Sequence, residues 1–348
     1  MRAAVFEAFG ETPVVKEVAD PVPGPKSVVL HVHANGICRS DWHAWVGHDS
    51  TVKLPHVPGH EMAGVVAAVG EEIRNWTAGD RVTVPFACGC GTCRYCRQGQ
   101  LHICNDDFQP GFTHWGSFAE QVEIHYADHN LVRLPDDMDF KTAASLGCRF
   151  ATAYRAVIQQ ARLQQGEWLA IHGCGGLGLS SLLIAKALSA SVIVVDIDTR
   201  KLSLARELGA DEVIDAQSVE KVAKHILEIT QGGADVSIDA LGSSVTAINS
   251  VKCLRKQGRH VQAGLLLGDH AKPALPMGRV IAHELEIVGS HGMSALDYPE
   301  MFKLIAEQQI DLSRLVGRSI ALSEAPRVLV DMGDYRSLGM TVIEDFAC

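Results

Sequence analysis

The sequence predicts an α/β protein with two domains, a mostly-β domain followed by a doubly wound parallel sheet. Two observations lead to this prediction. The first part of the chain is rich in Gly, Pro and His and carries short β-like runs, such as Ser27–Val32, Gly64–Val69 and Arg81–Pro85, separated by turn residues. From about Phe150, strands alternate with helices and are apolar on both faces, which indicates a parallel sheet covered by helices on each side.

The elements of the second domain follow from the same alternation. Strands are predicted at Trp168–His172, Ser191–Asp196, Glu212–Ile214, Asp235–Asp239, Arg259–Ala263 and Glu286–Gly289. Helices are predicted at Ser180–Leu188, Lys201–Leu208, Val219–Ile229 and Val245–Leu254. Beyond them, Tyr298–Glu307 is predicted to be a helix and Met340–Glu344 a short strand.

The composition limits the class of protein. The chain has 348 residues, of which 47% are hydrophobic and 21% are charged, as expected of a folded globular protein rather than a disordered chain. Its 31 Lys and Arg residues against 41 Asp and Glu residues give a net charge of −10. Such a charge provides no long-range attraction to nucleic-acid phosphates or anionic membranes. We therefore expect neither a nucleic acid nor a membrane as a partner.

The N-terminal segment begins Met1-Arg2-Ala3-Ala4-Val5-Phe6-Glu7 and lacks the apolar core of a signal peptide. The longest apolar stretch, 177–195, is interrupted by Lys186, so a buried helix and strand are expected there rather than a membrane span. We expect a cytoplasmic protein, in which the 10 cysteines favour metal binding or catalysis over stable disulfides.

A glycine-rich turn stands between the first predicted strand and the first predicted helix of the second domain. Its residues are Gly173-Cys174-Gly175-Gly176-Leu177-Gly178. Glycines at such positions let the backbone turn tightly and approach a pyrophosphate, which then lies against the N–H groups of the helix N-terminus. The pattern alone is a weak signal because an ordinary tight turn can share it. Its place between strand and helix favours a dinucleotide site of the Rossmann type.

Asp196 ends the next strand, at the place where a carboxylate binds the adenine ribose hydroxyls of NAD. The same carboxylate repels the 2′-phosphate of NADP, so NAD is the expected cofactor. Arg200 and Lys201 follow closely enough to weaken that repulsion, which makes the expected preference a moderate one. The alternative interpretation of Asp196 is a helix cap or turn residue.

Four cysteines lie close together in a Gly-rich segment, at Cys90, Cys93, Cys96 and Cys104. Four thiolates supplied by short loops suit tetrahedral zinc. Because they fill all four coordination positions, such a site would be structural. An iron–sulfur cluster with similar ligands is the alternative.

A second set of metal-binding residue types is spread over three segments of the chain, at Cys38, His60 and Cys148. Each is a weak signal alone, since a lone histidine is more often structural than a ligand. Together they form a Cys₂His set, which is typical of a catalytic zinc that keeps its fourth position for water or substrate.

Taken together, these motifs resemble the zinc-dependent alcohol dehydrogenases of the medium-chain dehydrogenase/reductase superfamily, over essentially the whole chain. The residues that carry the resemblance are Cys38-Arg39-Ser40-Asp41-Trp42-His43, Gly59-His60-Glu61 with Gly64 and Gly70, Gly79-Asp80-Arg81-Val82, the four cysteines, Leu146-Gly147-Cys148 and the glycine turn. The resemblance implies a GroES-like catalytic domain at 1–149, a Rossmann domain at 150–289 and a C-terminal segment at 290–348 that returns to the catalytic domain. It also implies a homodimer or homotetramer.

The resemblance assigns the catalytic zinc to Cys38, His60 and Cys148, with Glu61 as an alternate ligand during water exchange. Asp41 would orient His60, since a carboxylate bonded to the imidazole fixes its tautomer. With the four-cysteine site, the expectation is two zinc ions per chain. The cysteines outside both sites are Cys88, Cys174, Cys253 and Cys348.

The resemblance also implies how the substrate is handled. Ser40 would take the proton of the substrate hydroxyl and pass it through the nicotinamide ribose to His43 at the surface. Arg39 would pair with the cofactor pyrophosphate, while Phe86 and Trp115 would line the substrate pocket. The implied reaction is reversible hydride transfer between a primary or secondary alcohol and NAD, with an aldehyde or ketone as the product.

Two positions depart from the family pattern. Met340 stands where many relatives have an arginine that helps to hold the pyrophosphate, and Arg336 is a candidate substitute. Cys148 stands where polyol dehydrogenases of the superfamily usually have a glutamate, which favours simple alcohols over sugar alcohols. The alternative function is a polyol or amino-alcohol dehydrogenase of the same superfamily. A protein that binds zinc and a dinucleotide without catalysing a reaction is a further alternative.

Overall fold

The structure, a computed structural model, describes residues 1–334 and 338–347 of the chain. Its strands, numbered in chain order, are β1 Arg2–Val5, β2 Val14–Glu17, β3 Val28–Ile37, β4 Glu61–Val69, β5 Arg81–Thr83, β6 Gln121–Ile124, β7 Val132–Arg133, β8 Trp168–His172, β9 Ser191–Asp196, β10 Glu212–Asp215, β11 Ala234–Asp239, β12 Leu254–Gln262, β13 Glu286–Gly289, β14 Val316–Ala321 and β15 Met340–Asp345.

The α-helices are α1 Arg39–Trp45, α2 Ala127–Asn130, α3 Phe140–Ala144, α4 Ala151–Tyr154, α5 Gly176–Ala187, α6 Thr199–Glu207, α7 Val222–Ile229, α8 Ser244–Lys252, α9 Met277–His283, α10 Tyr298–Glu307 and α11 Ala325–Asp331. Two π-helical turns, Leu146–Phe150 and Arg155–Gln160, flank α4. Short 3₁₀ turns lie at Cys96–Gln98, Leu101–Ile103, Gly268–His270, Ala295–Asp297, Leu312–Leu315, Leu322–Glu324 and Met332–Asp334. Within the described ranges, none of these helices has both the length and the apolar character needed to cross a bilayer.

The chain forms two compact units. The first comprises Met1–Ala151, Gly292–Phe302 and the chain from Leu312 onward. The second comprises Thr152–His291 and Lys303–Asp311. The first unit is mostly β and the second is a parallel α/β sheet, so the predicted fold class is confirmed.

The larger sheet of the first unit is organised around β3. Its strand order is β14-β15-β3-β4-β5-β7, and β6 pairs with the first half of β3 while β15 pairs with the end of β3. Along β3 the side chains of His31 and His33 are exposed between buried Val and Leu residues, the alternation of a strand with one solvated face. The end of β3 and the start of β4 lie side by side, with Gly36 opposite Glu61. This register brings the segments of two predicted zinc ligands together.

The sheet of the second unit has the order β10-β9-β8-β11-β12-β13, and all five pairings are parallel. The order reverses between β8 and β11, and ligands of such sheets bind outside the carboxyl ends of the strands at this switch point. The glycine-rich turn follows β8 directly, and α5 begins at Gly176. The long apolar stretch of the sequence is therefore the buried helix α5 followed by the buried strand β9.

The predicted and observed elements agree best in this second unit. The strands β8, β9 and β13 and the helix α10 have the predicted bounds, and the other predicted elements differ by a few residues at their ends. The helix α5 begins at Gly176 rather than at Ser180, because the last residues of the glycine turn already belong to its first turn. The strand β12 starts earlier than predicted, at Leu254, because Leu254 pairs with Ala234 of β11 ahead of a bulge, after which the pairing resumes at Arg259.

His172 ends β8 and is a buried titratable group in the second unit. Its side chain is 1% exposed, and its Nε2 lies 3.7 Å from the Sγ of Cys253. Burial lowers the pKa of His172 to about 3, and a charge on His260 would lower it further. The imidazole is therefore neutral in the folded protein near pH 7.

We predict that protonation of His172 destabilises the fold in acid. Its folded-state pKa of about 3 lies below the ordinary 6.5, so the stabilisation is complete above pH 6.5 and is lost as the pH falls towards 3. Between pH 6.5 and pH 5 the loss is about 2 kcal/mol. The melting temperature of the wild type should therefore fall further between pH 7 and pH 5 than that of His172→Gln, whose side chain does not titrate. Equal falls in the two proteins would contradict this account.

Candidate active site and metal centres

Cys38, His60 and Cys148 meet in the first unit. Cys38 follows β3 and precedes α1, His60 directly precedes β4, and Cys148 lies in the π-helical turn Leu146–Phe150. Their donor atoms all lie within 4.8 Å of one another, and the two sulfur atoms are 4.0 Å apart. Tetrahedral zinc with Zn–S bonds of about 2.3 Å requires a sulfur separation of about 3.8 Å. The spacing of these donors therefore fits a single zinc ion.

Asp41 fixes the orientation of His60. Its Oδ1 accepts hydrogen bonds from His60 Nδ1 at 2.8 Å and from the Gly59 N–H at 3.0 Å, and its Oδ2 accepts from the Cys38 N–H at 2.8 Å. Both side chains of the His60–Asp41 pair are fully buried. The other ring nitrogen, Nε2, is buried without a hydrogen-bond partner among the described residues. A buried nitrogen of this kind is costly unless it binds something, and a metal ion satisfies it.

The thiols of this set cannot both ionise without a cation. Hydrogen bonding between the two sulfur atoms lowers the pKa of Cys38 well below its usual range and raises that of Cys148 well above its own. The pair therefore retains a proton, which a divalent cation displaces when it binds. Two soft thiolates and one imidazole, with no fourth ligand among the described residues, make a donor set that fits catalytic zinc.

Glu61 is buried beside this set but is held by Arg149. Its Oε2 accepts from the Arg149 Nη2 at 2.8 Å, and its Oε1 accepts from the Arg149 N–H at 3.3 Å. Burial raises the pKa of Glu61 to about 7, against the opposing charge of Arg149. The group of donor atoms within 4.8 Å contains Cys38, His60 and Cys148, and Glu61 is not part of it. The residue expected as an alternate ligand is thus paired with an arginine that the sequence analysis did not single out.

The residues of the expected proton pathway lie on α1. The Oγ of Ser40 is 3.8 Å from the Sγ of Cys38, so the hydroxyl lies beside the metal-binding set. One turn along, the Nδ1 of His43 lies 3.0 Å from the Nδ1 of His48, an exposed residue. Burial lowers the pKa of His43 to about 4, and the positive charge of Arg39 adds to this effect. His43 is therefore neutral near pH 7.

Arg39, the expected pyrophosphate ligand, lies over the ring of Trp42, with its guanidinium carbon 3.8 Å from the ring centroid. Its Nη1 also donates a hydrogen bond to the carbonyl oxygen of Met332. Both contacts hold the guanidinium at the surface of α1. Arg336, the suggested substitute for the missing C-terminal arginine, lies outside the described residues.

Two aromatic rings face the imidazole of His60. The ring centroid of Phe86 lies 6.1 Å away and that of Phe112 lies 4.9 Å away. Phe112 was not singled out in the sequence, where the only signal is its place after Gly111 in a Gly-rich loop. Trp115 is 38% exposed and its Nε1 donates to the carbonyl oxygen of Pro55 at 2.9 Å. It therefore does not belong to the core.

The four cysteines of the predicted structural site also come together. The donor atoms of Cys90, Cys93, Cys96 and Cys104 all lie within 4.8 Å of one another. The Sγ of Cys93 is 3.5 Å from that of Cys96 and 3.7 Å from that of Cys104. N–H groups of Cys96 and Asn105 lower the pKa of Cys93 to about 6, whereas burial and the sulfur of Cys93 raise that of Cys96 to about 12. Four ionised thiols at this spacing need a cation, and no coordination position is left for a substrate.

The remaining described cysteines lie outside both donor sets. The thiol of Cys88 donates to the carbonyl oxygen of Pro85, that of Cys174 to Lys201 and that of Cys253 to Ser250. Burial raises the pKa of Cys174 and Cys253 to about 12, so both are neutral thiols. Cys348 lies outside the described residues.

The glycine turn has the shape expected of a phosphate cradle. A Cβ at Gly178 would lie 1.9 Å from the Gly173 carbonyl oxygen, so only glycine allows the helix to pack this closely on the strand. A Cβ at Gly175 would meet no atom within 4 Å, so the backbone at the N-terminus of α5 is open to an approaching group. An open backbone beside a helix N-terminus is what a pyrophosphate requires.

Asp196 is the last residue of β9, and Arg200 lies at the start of α6. The Oδ2 of Asp196 accepts from the Cys174 N–H at 2.6 Å, which ties the end of β9 to the glycine turn. Arg200 folds back on Asp198, with its Nε and Nη2 at 3.1 and 2.7 Å from the two carboxylate oxygens. The hydrogen bond from Arg200 lowers the pKa of Asp198 to about 2. The charge of Arg200 is thus balanced locally, which leaves Asp196 with less positive charge beside it than the sequence suggested.

Comparisons with known proteins agree with this geometry. A family described as the alcohol dehydrogenase GroES-like domain matches residues 24–136, and one described as zinc-binding dehydrogenase matches residues 176–307. An alcohol dehydrogenase of Geobacillus stearothermophilus is 34% identical over 89% of this chain and 90% of its own length. An NAD-dependent alcohol dehydrogenase of Sulfurisphaera tokodaii is 33% identical over 99% of both chains. The structure of alcohol dehydrogenase TADH from Thermus sp. ATN1 superposes with a TM-score of 0.90 at 30% identity, covering 99% of this chain and 100% of that one.

The chain belongs to the zinc-dependent alcohol dehydrogenases of the medium-chain dehydrogenase/reductase superfamily. The family resemblance expected from the motifs is thereby confirmed. The protein is an oxidoreductase of this family.

We predict that Cys93→Ser removes the zinc ion of the four-cysteine site and destabilises the protein. Metal analysis should find one zinc ion fewer per chain than in the wild type. The melting temperature should fall by about 5 °C or more, since each kcal/mol lost shifts it by about 2–4 °C in a domain of this size.

Cys253→Ser is the matched control, because this buried thiol lies outside both donor sets. It should keep the full zinc content whatever its stability. A Cys93→Ser protein with wild-type zinc content and melting temperature would contradict a structural metal site.

Proposed function

We propose that the protein is an NAD-dependent alcohol dehydrogenase that binds one catalytic zinc ion on Cys38, His60 and Cys148 and one structural zinc ion on the four cysteines. The observation that carries this proposal is the buried Nε2 of His60, which has no hydrogen-bond partner in the described part of the chain and lies beside two thiols, with Asp41 on the other ring nitrogen. The reaction is the conversion of a primary or secondary alcohol and NAD⁺ into the aldehyde or ketone, NADH and a proton, in either direction.

The bound zinc ion would act as a Lewis acid that makes deprotonation of an alcohol possible near neutral pH. The chain's own residues set the conditions for this chemistry. The two thiolates balance the charge of the cation, and Asp41 keeps the imidazole in the tautomer whose Nε2 is free. The set leaves one position open for the substrate oxygen.

The proton of the substrate hydroxyl needs an acceptor and a route to solvent. Ser40 Oγ lies beside the donor set and would accept that proton first. His43 lies one turn further along the same helix and would carry the proton onward. Its neighbour His48 is exposed.

NAD is the proposed cofactor. The open backbone at Gly175 and the N-terminus of α5 suit its pyrophosphate, with Arg39 as a further ligand. Asp196 carries the charge that disfavours a 2′-phosphate, and the pairing of Arg200 with Asp198 supports this preference. The Sulfurisphaera tokodaii relative is named as NAD-dependent.

The proposal also covers the class of substrate and the oligomeric state. Cys148 in place of a glutamate supports simple alcohols, with Phe86 and Trp115 as the expected pocket residues. We also propose a cytoplasmic homodimer or homotetramer. The cysteines that the structure describes are all free, which supports a reducing compartment.

We predict that Cys38→Ser and His60→Ala abolish alcohol oxidation but leave NAD binding close to that of the wild type. Turnover should fall more than about 100-fold, since even the outer partners of metal ligands cost about 10–100-fold when removed. The measurements are NADH formation across a panel of simple alcohols and polyols, and calorimetric titration with NAD.

Cys253→Ser again serves as the control and should keep its turnover. Alcohol oxidation retained in Cys38→Ser or His60→Ala would contradict the catalytic site. A wild-type protein that oxidises polyols and no simple alcohol would favour the polyol dehydrogenase alternative.

We also predict a preference for NAD over NADP of at least about tenfold in kcat/KM, which corresponds to about 1.4 kcal/mol. Asp196→Ser should narrow this ratio because it removes the charge that repels the 2′-phosphate. Steady-state kinetics with both cofactors measure the effect. A wild-type protein that prefers NADP would contradict the assignment of Asp196.

A further inference from the structure

Glu61 and Arg149 form a buried ion pair between the neighbours of two proposed zinc ligands. Glu61 follows His60 and its side chain is 0% exposed, while Arg149 follows Cys148 and its side chain is 13% exposed. The guanidinium donates to Glu61 Oε2 at 2.8 Å and also to the carbonyl oxygen of Ile37 at the end of β3. The pair therefore links β3, β4 and the π-helical turn around the metal-binding set.

The pairing of β3 with β4 leaves space for the Glu61 carboxylate at this point. Gly36 lies opposite Glu61 in the β3–β4 pairing, and a Cβ at Gly36 would lie 2.6 Å from Glu61 Oε2. The same Cβ would lie 2.9 Å from the Sδ of Met340, which is buried. The carboxylate thus occupies space over a glycine, next to a neutral thioether that supplies no hydrogen-bond donor.

Arg149 engages both oxygens of that carboxylate. Its backbone N–H donates to Oε1 and its guanidinium donates to Oε2. The π-helical turn makes this possible because it places the N–H and the side chain of Arg149 on the same carboxylate. With both oxygens engaged, the carboxylate has little freedom to turn towards another cation.

If the Arg149 side chain were absent, the buried carboxylate of Glu61 would need another positive charge nearby. The adjacent His60 and Cys148 belong to the set that binds a dication in the proposed function, and zinc accepts carboxylate oxygen as a ligand. Coordination by Glu61 would fill the position that the substrate needs. The competition between the arginine and the metal ion for one carboxylate therefore bears directly on turnover.

We propose that Arg149 is a positioning residue that holds the Glu61 carboxylate out of the Cys38–His60–Cys148 set and so keeps the substrate position open. The proposal rests on the proposed function, since it requires a metal ion on those three ligands. It assigns a role to a residue that is not one of the three proposed ligands and that holds Glu61 through both of its carboxylate oxygens.

Cobalt substitution provides a direct test, because the d–d bands of Co²⁺ shift when a carboxylate oxygen takes the fourth position of a Cys₂His site. Arg149→Met removes the charge and both guanidinium bonds while keeping an unbranched side chain. We expect this variant to bind cobalt with d–d bands shifted from those of the wild type, and its kcat to fall about 10–100-fold. The spectrum of Cys38→Ser, in which the catalytic set is broken, gives the contribution of the four-cysteine site for subtraction.

The double variant Arg149→Met with Glu61→Gln tests whether Arg149 acts through Glu61. A glutamine needs no counter-charge and is a weaker ligand, so the double variant should recover the wild-type positions of the d–d bands. The two single effects should therefore not be additive. Arg149→Lys keeps the charge but loses the planar guanidinium. Its d–d band positions and its kcat should lie between those of the wild type and those of Arg149→Met.

The possible outcomes distinguish a failure of the proposed function from a failure of the role proposed for Arg149. A wild-type protein without cobalt absorption from the Cys38–His60–Cys148 set would contradict the proposed function together with this inference. A wild-type protein with that absorption, and an Arg149→Met spectrum identical to it, would contradict the role of Arg149 alone. If Arg149→Met does not fold, Arg149→Lys and its double variant with Glu61→Gln carry the same comparison, and additive effects there would overturn the inference.

Discussion

The buried carboxylate of Asp41 is the constraint on which the metal centre depends. It accepts hydrogen bonds from the N–H of Cys38, the N–H of Gly59 and the Nδ1 of His60. These donors come from the end of β3 and from the segment before β4, so one side chain fixes two ligands relative to each other. A carboxylate this deeply buried is stable only with such partners, and its engagement of Nδ1 leaves Nε2 as the nitrogen available to a metal ion.

The charged and ionisable groups buried around this carboxylate couple the stability of the fold to metal binding. Two thiols, Asp41 and Glu61 are packed into a largely buried space beside Arg149, which forms an ion pair with Glu61. The four-cysteine site also gathers several ionisable groups, in this case four thiols. In both places the free energy of metal binding is coupled to the ionisation of the ligands and hence to the stability of the unit. The first unit is therefore stabilised by bound ions as well as by its apolar core.

The second unit could be predicted from sequence almost strand by strand, because buried parallel strands such as β8 and β9 are short, continuous apolar runs. The helix α1 escaped prediction because its seven residues, RSDWHAW, serve the site and show no helical apolar period. The motifs and the family resemblance predicted the two sets of zinc ligands, whose donor atoms the structure brings together. Arg149 and Phe112 could not be found in this way, because their contacts with Glu61 and His60 depend on how a π-helical turn and a loop fold against β4.

The most direct test of the account is anomalous X-ray scattering from crystals of the zinc-loaded protein, collected on both sides of the zinc absorption edge. The account predicts two zinc peaks per chain. One should be bound by Cys38 Sγ, His60 Nε2 and Cys148 Sγ, with the Glu61 carboxylate still on Arg149, and the other by the four cysteines. An anomalous map without a peak at His60 Nε2, in a protein that oxidises alcohols, would contradict the central claim.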